Sequence, residues 1–239
     1  MKALLIIAAG NATRMGNTPK AIALIDGKPN LLNTVEKARD YFDKIFVYSN
    51  DKYVSLYQKI LKKEDKAEVI VIESGKGCGH AVMMSLRTLH NSFKNDVTMC
   101  WGDVFIKDNK IFEEVQKQDL VNYPLIIPSV IEDNPYVWFT MNENKAECAR
   151  FSKNGEIIDK GYHDQSVFRY SPMLVLGALE TMNTVLNRCG EYSNGEMRFL
   201  DVVHYFHNIR YSPLIYETKY PTMGYNTETE LKEINSHLK

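Results

Sequence analysis

The chain opens on Met1-Lys2-Ala3-Leu4-Leu5-Ile6-Ile7, a short aliphatic run. Its length and content are those of a strand covered on both faces. The run breaks into Ala8-Ala9-Gly10-Asn11-Ala12-Thr13-Arg14-Met15-Gly16, and Pro19-Lys20 closes the turn. No large side chain stands in that loop before Arg14. Backbone N–H groups in such a loop can approach phosphate oxygens closely, and a single well-placed cation can then meet the charge. The same residues also read as a tight strand-to-helix turn with a surface Arg and Lys.

Beyond the loop, strand and helix patterns alternate. Asp26-Gly27-Lys28-Pro29 is a turn, and residues 30 to 42 carry Leu31, Leu32, Val35, Ala38 and Phe42 at helical spacing. Strands are predicted over 44–49, 68–72 and 96–101. Helices are predicted up to about residue 64 and over 81–89. This order implies an α/β fold with a parallel sheet. The second half is less regular. A strand is expected over 125–130, short strands and turns from 132 to 169, helices over 172–186 and 197–207, a strand over 214–217, and a last helix after Asn226. No linker or repeat divides the 239 residues, so a single domain over 1–239 is expected. Residues from about 130 to 220 would form a lobe over the ligand.

Composition excludes several classes. With 29 basic and 30 acidic residues the net charge is −1, which offers no electrostatic case for nucleic acid or an anionic membrane. The opening apolar run is too short for a signal peptide, and no run approaches the roughly 20 residues of a membrane span. A cytoplasmic location is the expectation. Cys78, Cys100, Cys148 and Cys189 are far apart, which argues against a zinc or disulfide framework. No phosphate-binding G-x-x-x-x-G-K-[ST] loop, dinucleotide G-x-G-x-x-G fingerprint or G-x-S-x-G elbow is present.

Four segments carry chemistry. The first is the loop from Ala8 to Lys20. The second, Gly77-Cys78-Gly79-His80-Ala81, is a glycine-rich βα turn that would let a flat base approach the backbone. The third, Trp101-Gly102-Asp103-Val104, puts a carboxylate at the carboxyl end of a predicted strand, where open α/β sheets bind ligands. The fourth, Gly224-Tyr225-Asn226-Thr227, precedes the last helix, and Asn226 also reads as the N-cap of that helix.

In this order the segments resemble the nucleotidyltransferases that make nucleoside-diphosphate sugars and related activated phosphates. That family reads L-A-A-G-x-G-T-R-M then P-K, G-T-G-H-A, Y-G-D and G-V-N. The resemblance implies a GT-A-like, Rossmann-like α/β fold with a central mixed, mostly parallel sheet flanked by helices. It implies Arg14 and Lys20 as the catalytic cations. Ala8, Ala9, Gly10, Asn11, Ala12, Thr13, Gly75, Gly79 and His80 would hold the nucleotide, and Asp103 and Asn226 would bind Mg2+. Trp138, Lys160 and Glu196 are the acceptor-side candidates, although Lys160 is equally a solvated surface lysine and Glu196 a helix start. The reaction implied is transfer of a nucleoside monophosphate to an acceptor phosphate with loss of pyrophosphate.

Three departures from the family pattern bear on specificity. Ala12 replaces the second loop glycine. Gly75 stands where a Gln reads the uracil edge. The run from Asp133 to Thr140 lacks the glycines against which a sugar lies. The last two point away from uridylyl transfer to a hexosamine phosphate. A chain of this length with a changed acceptor loop resembles the bacterial cytidylyltransferases, a resemblance that implies CTP and a small phosphorylated acceptor such as phosphoglutamine, in capsule or surface-polysaccharide precursor synthesis. A uridylyl- or thymidylyltransferase acting on a sugar 1-phosphate, and a nucleotide-binding module without turnover, remain the other readings.

Overall fold

The computed structural model describes residues 1–11, 18–93, 96–152, 159–189 and 196–238. Within it the opening run is strand β1 (Ala3–Ile7), third in a ten-stranded sheet. Alternate residues of a strand face opposite sides. Leu4 and Ile6 accordingly enter one core, with Val35, Tyr57 and Phe112, while Leu5 and Ile7 enter another, with Tyr48, Leu86 and Phe199. This is why the run has no polar position: both of its faces are interior.

A small hairpin of β2 (Leu24–Ile25) and β3 (Lys28–Pro29) leads into helix α1 (Asn30–Ala38). Then come β4 (Lys44–Ser49), α2 (Val54–Ile60), β5 (Ala67–Val71), α3 (Cys78–Thr88) and β6 (Val97–Trp101). Strands β5, β4, β1 and β6 lie side by side, all parallel. The alternation read from the sequence is therefore the parallel half of the sheet. Asn30 begins α1 with its side chain buried, donating to the carbonyl of Val104 at 2.9 Å. That bond ties the helix to the segment following β6.

Two short elements follow, β7 (Val104–Phe105) and helix α4 (Lys110–Gln116). Helix α4 was not expected. Its apolar stripe is only Ile111, Phe112 and Val115, too short for a periodicity to register. Tertiary packing makes it: Phe112 meets Phe42 edge to face, with ring centroids 5.3 Å apart.

The second half comprises β8 (Leu125–Glu132), β9 (Val137–Asn142), β10 (Lys145–Phe151), β11 (Gly161–Asp164) and β12 (Val167–Tyr170). Helices α5 (Pro172–Cys189) and α6 (Val202–Asn208) and strand β13 (Leu214–Glu217) follow, then β14 (Met223–Gly224) and α7 (Glu228–His237). Strand β12 runs antiparallel between β6 and β8, and so joins this half to the parallel half in one sheet. The sheet is mixed, and seven of its ten strands share one direction: β5, β4, β1, β6, β8, β13 and β9.

The helix expected over 197–207 begins later. Residues Phe199–Asp201 form a single 3-10 turn, and the α-helix starts at Val202. Met197 is held out of the helix by other bonds: its N–H donates to the Lys76 carbonyl at 2.9 Å, and its carbonyl accepts from Gly79 N–H at 2.8 Å. Among the described residues, no helix is long and apolar enough to cross a membrane.

Candidate active site

Three of the residues singled out in the sequence meet at the carboxyl edge of the parallel strands. Lys20 Nζ donates to Asp103 Oδ2 at 2.8 Å and to Asn226 Oδ1 at 2.7 Å. Each arrives by its own device. Lys20 begins a 3-10 turn, Lys20–Ile22, entered from the extended Pro19. Asp103 follows Gly102, whose N–H donates to the Ile7 carbonyl at 2.9 Å. A Cβ at Gly102 would sit 2.7 Å from the Ala8 Cβ, so glycine is what lets the end of β6 close on the end of β1. Asn226 precedes α7, and here the two readings of that segment separate. Thr227 is the N-cap, forming a capping box with Glu230, so the Asn226 side chain is released to face Lys20. Tyr225 fixes the junction from below: it is buried, and its hydroxyl donates to the Lys20 carbonyl at 2.7 Å. Burial beside the Asp103 carboxylate pushes the Tyr225 phenol up, which keeps it a neutral donor.

The ammonium of Lys20 tests the site for a cation. It sits between a carboxylate oxygen and an amide oxygen at hydrogen-bond distance from both. Two hard oxygens around one positive centre suit Mg2+, which uses one or two protein ligands and completes its shell with water and phosphate. Among the described residues no group of three or more His, Cys, Asp or Glu could hold a metal.

The start of the loop after β1, from Ala8 to Gly10, is tied to β4, to α2 and to the turn between them. Ala8 N–H donates to the Tyr48 carbonyl at 2.8 Å, and Tyr57 Oη donates to the Ala8 carbonyl at 3.3 Å. The buried Asn50 reaches both the Ala9 and the Gly10 carbonyls with Nδ2, each at 3.2 Å. A Cβ at Gly10 would meet nothing within 4 Å. The sequence signal for Asn50 is its position just past the carboxyl end of β4. Asn11 comes next to the second loop, its Nδ2 3.9 Å from where a Gly75 Cβ would be, and Gly75 itself takes φ +98°. The structure thus brings Asn11 and Gly75 together. Ala12, Thr13 and Arg14 lie outside the described residues.

The glycines of the second loop also serve the packing of the chain itself. A Cβ at Gly77 would fall 2.4 Å from the Met197 carbonyl oxygen, and one at Gly79 2.9 Å from the Arg198 carbonyl carbon. His80 is buried at the start of α3, and burial pulls its imidazole below the usual value, so it is neutral near pH 7.

Next to the Lys20 cluster opens a cleft of about 520 Å³ that includes Asp103 and Asn226 in its wall. On the acceptor side the structure places the sequence candidates apart from one another. Tyr136 and Val137 line the cleft, but Trp138 does not: its Cβ packs against Gly161. Lys160 and Glu196 are exposed and stand outside the lining. The residues found there instead lie on β8, β10, β11 and the segment before α6. Glu132 pairs with His163, and Asp164 is buried, its carboxyl pushed up by desolvation against the opposing pull of His163. Arg198 lays its guanidinium over the Phe151 ring at 4.3 Å from the centroid. Arg198 was in plain view two residues past Glu196, but its role depends on Phe151, far away in the chain.

The model of the MobA-like NTP transferase domain matches residues 4–117. The "Bifunctional protein GlmU" of Methanococcus maripaludis is 31% identical over 112 residues, which is 44% of this chain and 25% of that protein. The match therefore spans about a quarter of that relative's length. In structure, a Bacillus anthracis protein described as a glucose-1-phosphate thymidylyltransferase superposes with a TM-score of 0.77 at 14% identity, covering 99% of this chain and 95% of that one. The CTP:phosphocholine cytidylyltransferase of Streptococcus pneumoniae gives 0.72 at 14% identity, covering 100% and 99%. Residues 4–117 thus carry the likeness to the MobA-like NTP transferase domain, and the chain as a whole shares its fold with these two structures.

Proposed function

We propose that the protein transfers a nucleoside monophosphate from a nucleoside triphosphate to a small phosphorylated acceptor, with CTP as the favoured nucleotide. The observation that carries this reading is the meeting of Lys20, Asp103 and Asn226 around one positive centre. An oxygen of the acceptor phosphate attacks the α-phosphorus; the bond from the α-phosphorus to the bridging oxygen breaks, and pyrophosphate leaves with that electron pair. The acceptor is already an anion, so no base is needed, and the work left is positioning and charge neutralisation. Asp103 and Asn226 would hold Mg2+, which supplies charge neutralisation at the phosphates when bound. Lys20 would draw the α-phosphate and the acceptor phosphate together. Arg14 would hold the β- and γ-phosphates. The loop at Ala8 to Thr13 would present backbone N–H groups to the triphosphate, and Gly75, Gly79 and His80 would border the base. The lobe from about 130 to 220 would cover the acceptor.

CTP is favoured on two grounds. Gly75 cannot read a uracil edge as a Gln would, and one structural neighbour is by its description a CTP-using enzyme. Val137 and Phe139 stand where sugar-binding relatives have glycines, which favours a non-sugar acceptor; phosphoglutamine heads the set to try. The test is Mg2+-dependent pyrophosphate release from CTP, UTP, dTTP, GTP and ATP, each with phosphoglutamine, phosphocholine and hexose 1-phosphates. Release with CTP and a non-sugar phosphate is the expected result. Release only with UTP and a hexosamine phosphate would overturn the specificity, and no release from any pair would overturn the activity.

A further inference from the structure

Arg198 is a cation without a good counterion. The described carboxylate nearest to pairing with it, Asp201, approaches at 3.9 Å, while the side chain remains 43% exposed. Burial raises the Asp201 carboxyl, which weakens that partner further. The other charged side chains of this wall are already engaged. Glu132 pairs with His163, and buried Asp164 accepts from Ser166 N–H at 2.9 Å. Glu230 is spent on the N–H groups of Asn226 and Thr227.

The guanidinium is also held in a definite plane. It lies over Phe151, and both residues line the cleft that contains Asp103. Stacking on an aromatic ring fixes a guanidinium by one face and leaves its N–H edges free, the geometry that receives carboxylate or phosphate in two parallel bonds. The backbone beneath it is fixed as well. Met197 is bonded to Lys76 and Gly79, and Phe199 N–H reaches Cys78 Sγ at 3.4 Å. A half-exposed cation, braced on one side and without a close counterion among the described residues, is a binding site in want of an anion.

We propose that Arg198, mounted on Phe151, binds an oxyanion of the acceptor and so helps to set which acceptors the cleft takes. The proposal rests on the nucleotidyltransferase reading for the word acceptor; the anion site itself stands on the geometry. The oxyanion can be the reacting phosphate or a second acidic group on the same molecule, and the two are separable by experiment.

The full-length chain is titrated by calorimetry with phosphoglycolate, phosphoethanolamine and malonate, with and without a saturating non-hydrolysable CTP analogue and Mg2+. The same titrations are run on Arg198→Gln, Arg198→Lys and Phe151→Leu. The wild type is expected to bind at least one probe, and Arg198→Gln to bind it tenfold or more weakly, with affinity for the CTP analogue unchanged. Arg198→Lys and Phe151→Leu should fall between, since each keeps either the charge or the fork but loses the stack. Loss for both phosphates alike identifies the phosphate as the anion held. Loss confined to phosphoglycolate and malonate identifies a carboxylate. Equal affinities in wild type and Arg198→Gln, or no probe bound by the wild type, would overturn the proposal. Failure of the nucleotide analogue to bind would count against the nucleotidyl-transfer reading while the titrations without it still judge Arg198.

Discussion

Lys20 and Asn226 are separated by 206 positions in the chain, yet the ammonium of one lies 2.7 Å from the amide oxygen of the other. The same ammonium bonds Asp103. Each oxygen proposed for a metal is thus already satisfied by a lysine, and a metal arriving alone must displace it. Triphosphate would offer Lys20 other partners and free both oxygens. Lys20→Met is therefore expected to bind Mn2+ more tightly than wild type when no nucleotide is present, by about tenfold, the worth of one charge-assisted contact. Electron paramagnetic resonance titration of Mn2+ reads this directly, and weaker binding in the variant would contradict it. Turnover should move the other way, falling by roughly 10²-fold or more in Lys20→Met, Asp103→Ala and Arg14→Ala.

Asn50 is the bracket of the first loop. Its replacement by Ala strips a donor from the Ala9 and Gly10 carbonyls, at an expected cost of about 1–3 kcal/mol in urea unfolding. The Michaelis constant for the nucleotide should rise while that for the acceptor holds. An equal rise in both would mean that the bracket serves the fold alone.

Gly77 is doubly constrained, by φ +94° and by the Met197 carbonyl in the space a Cβ would need. Gly77→Ala should lose about 1–3 kcal/mol of stability, the usual range for forced overpacking. Gly10→Ala has open space instead, so its stability should be near wild type while nucleotide affinity drops. Thermal unfolding and nucleotide titration of the two variants separate a glycine needed by the chain from one available to a ligand.

His80 makes the fold sensitive to acid. Burial lowers its pKa from the ordinary 6.5, so between the two values the unfolded chain takes up a proton that the native state refuses. Stability is then full above about pH 6.5 and is lost as pH falls through that value toward the folded one. The melting temperature should drop from about pH 7.5 to about pH 5.5, and drop less in His80→Gln. An identical slope in the two proteins would exclude His80 as the source.

The parallel half of the sheet was legible because its signals are local. Strand β1 is apolar at every position since it feeds two cores, and β4 was bounded at Lys44 and Ser49 from composition alone. Asp103 and Asn226 were found at strand and helix ends, where chemistry gathers in such sheets. Less visible were residues whose role is set by a partner distant in the chain. Arg198 needs Phe151, Asn50 needs the Ala9 carbonyl, and Gly77 needs Met197. Trp138 stands beside the cleft rather than in its wall, which its neighbours Tyr136 and Val137 form, and its own Cβ packs near Gly161.

The Tyr225 hydroxyl on the Lys20 carbonyl carries a consequence for the order of folding. Closing so long a loop is entropically slow, and contacts of this span form late. During synthesis a chain that has emerged only as far as β13 can already pair β5, β4, β1 and β6, and still leave Lys20 without its second oxygen. The meeting of Lys20, Asp103 and Asn226 is then completed only after the sheet beneath it stands, a latch thrown from beyond β13.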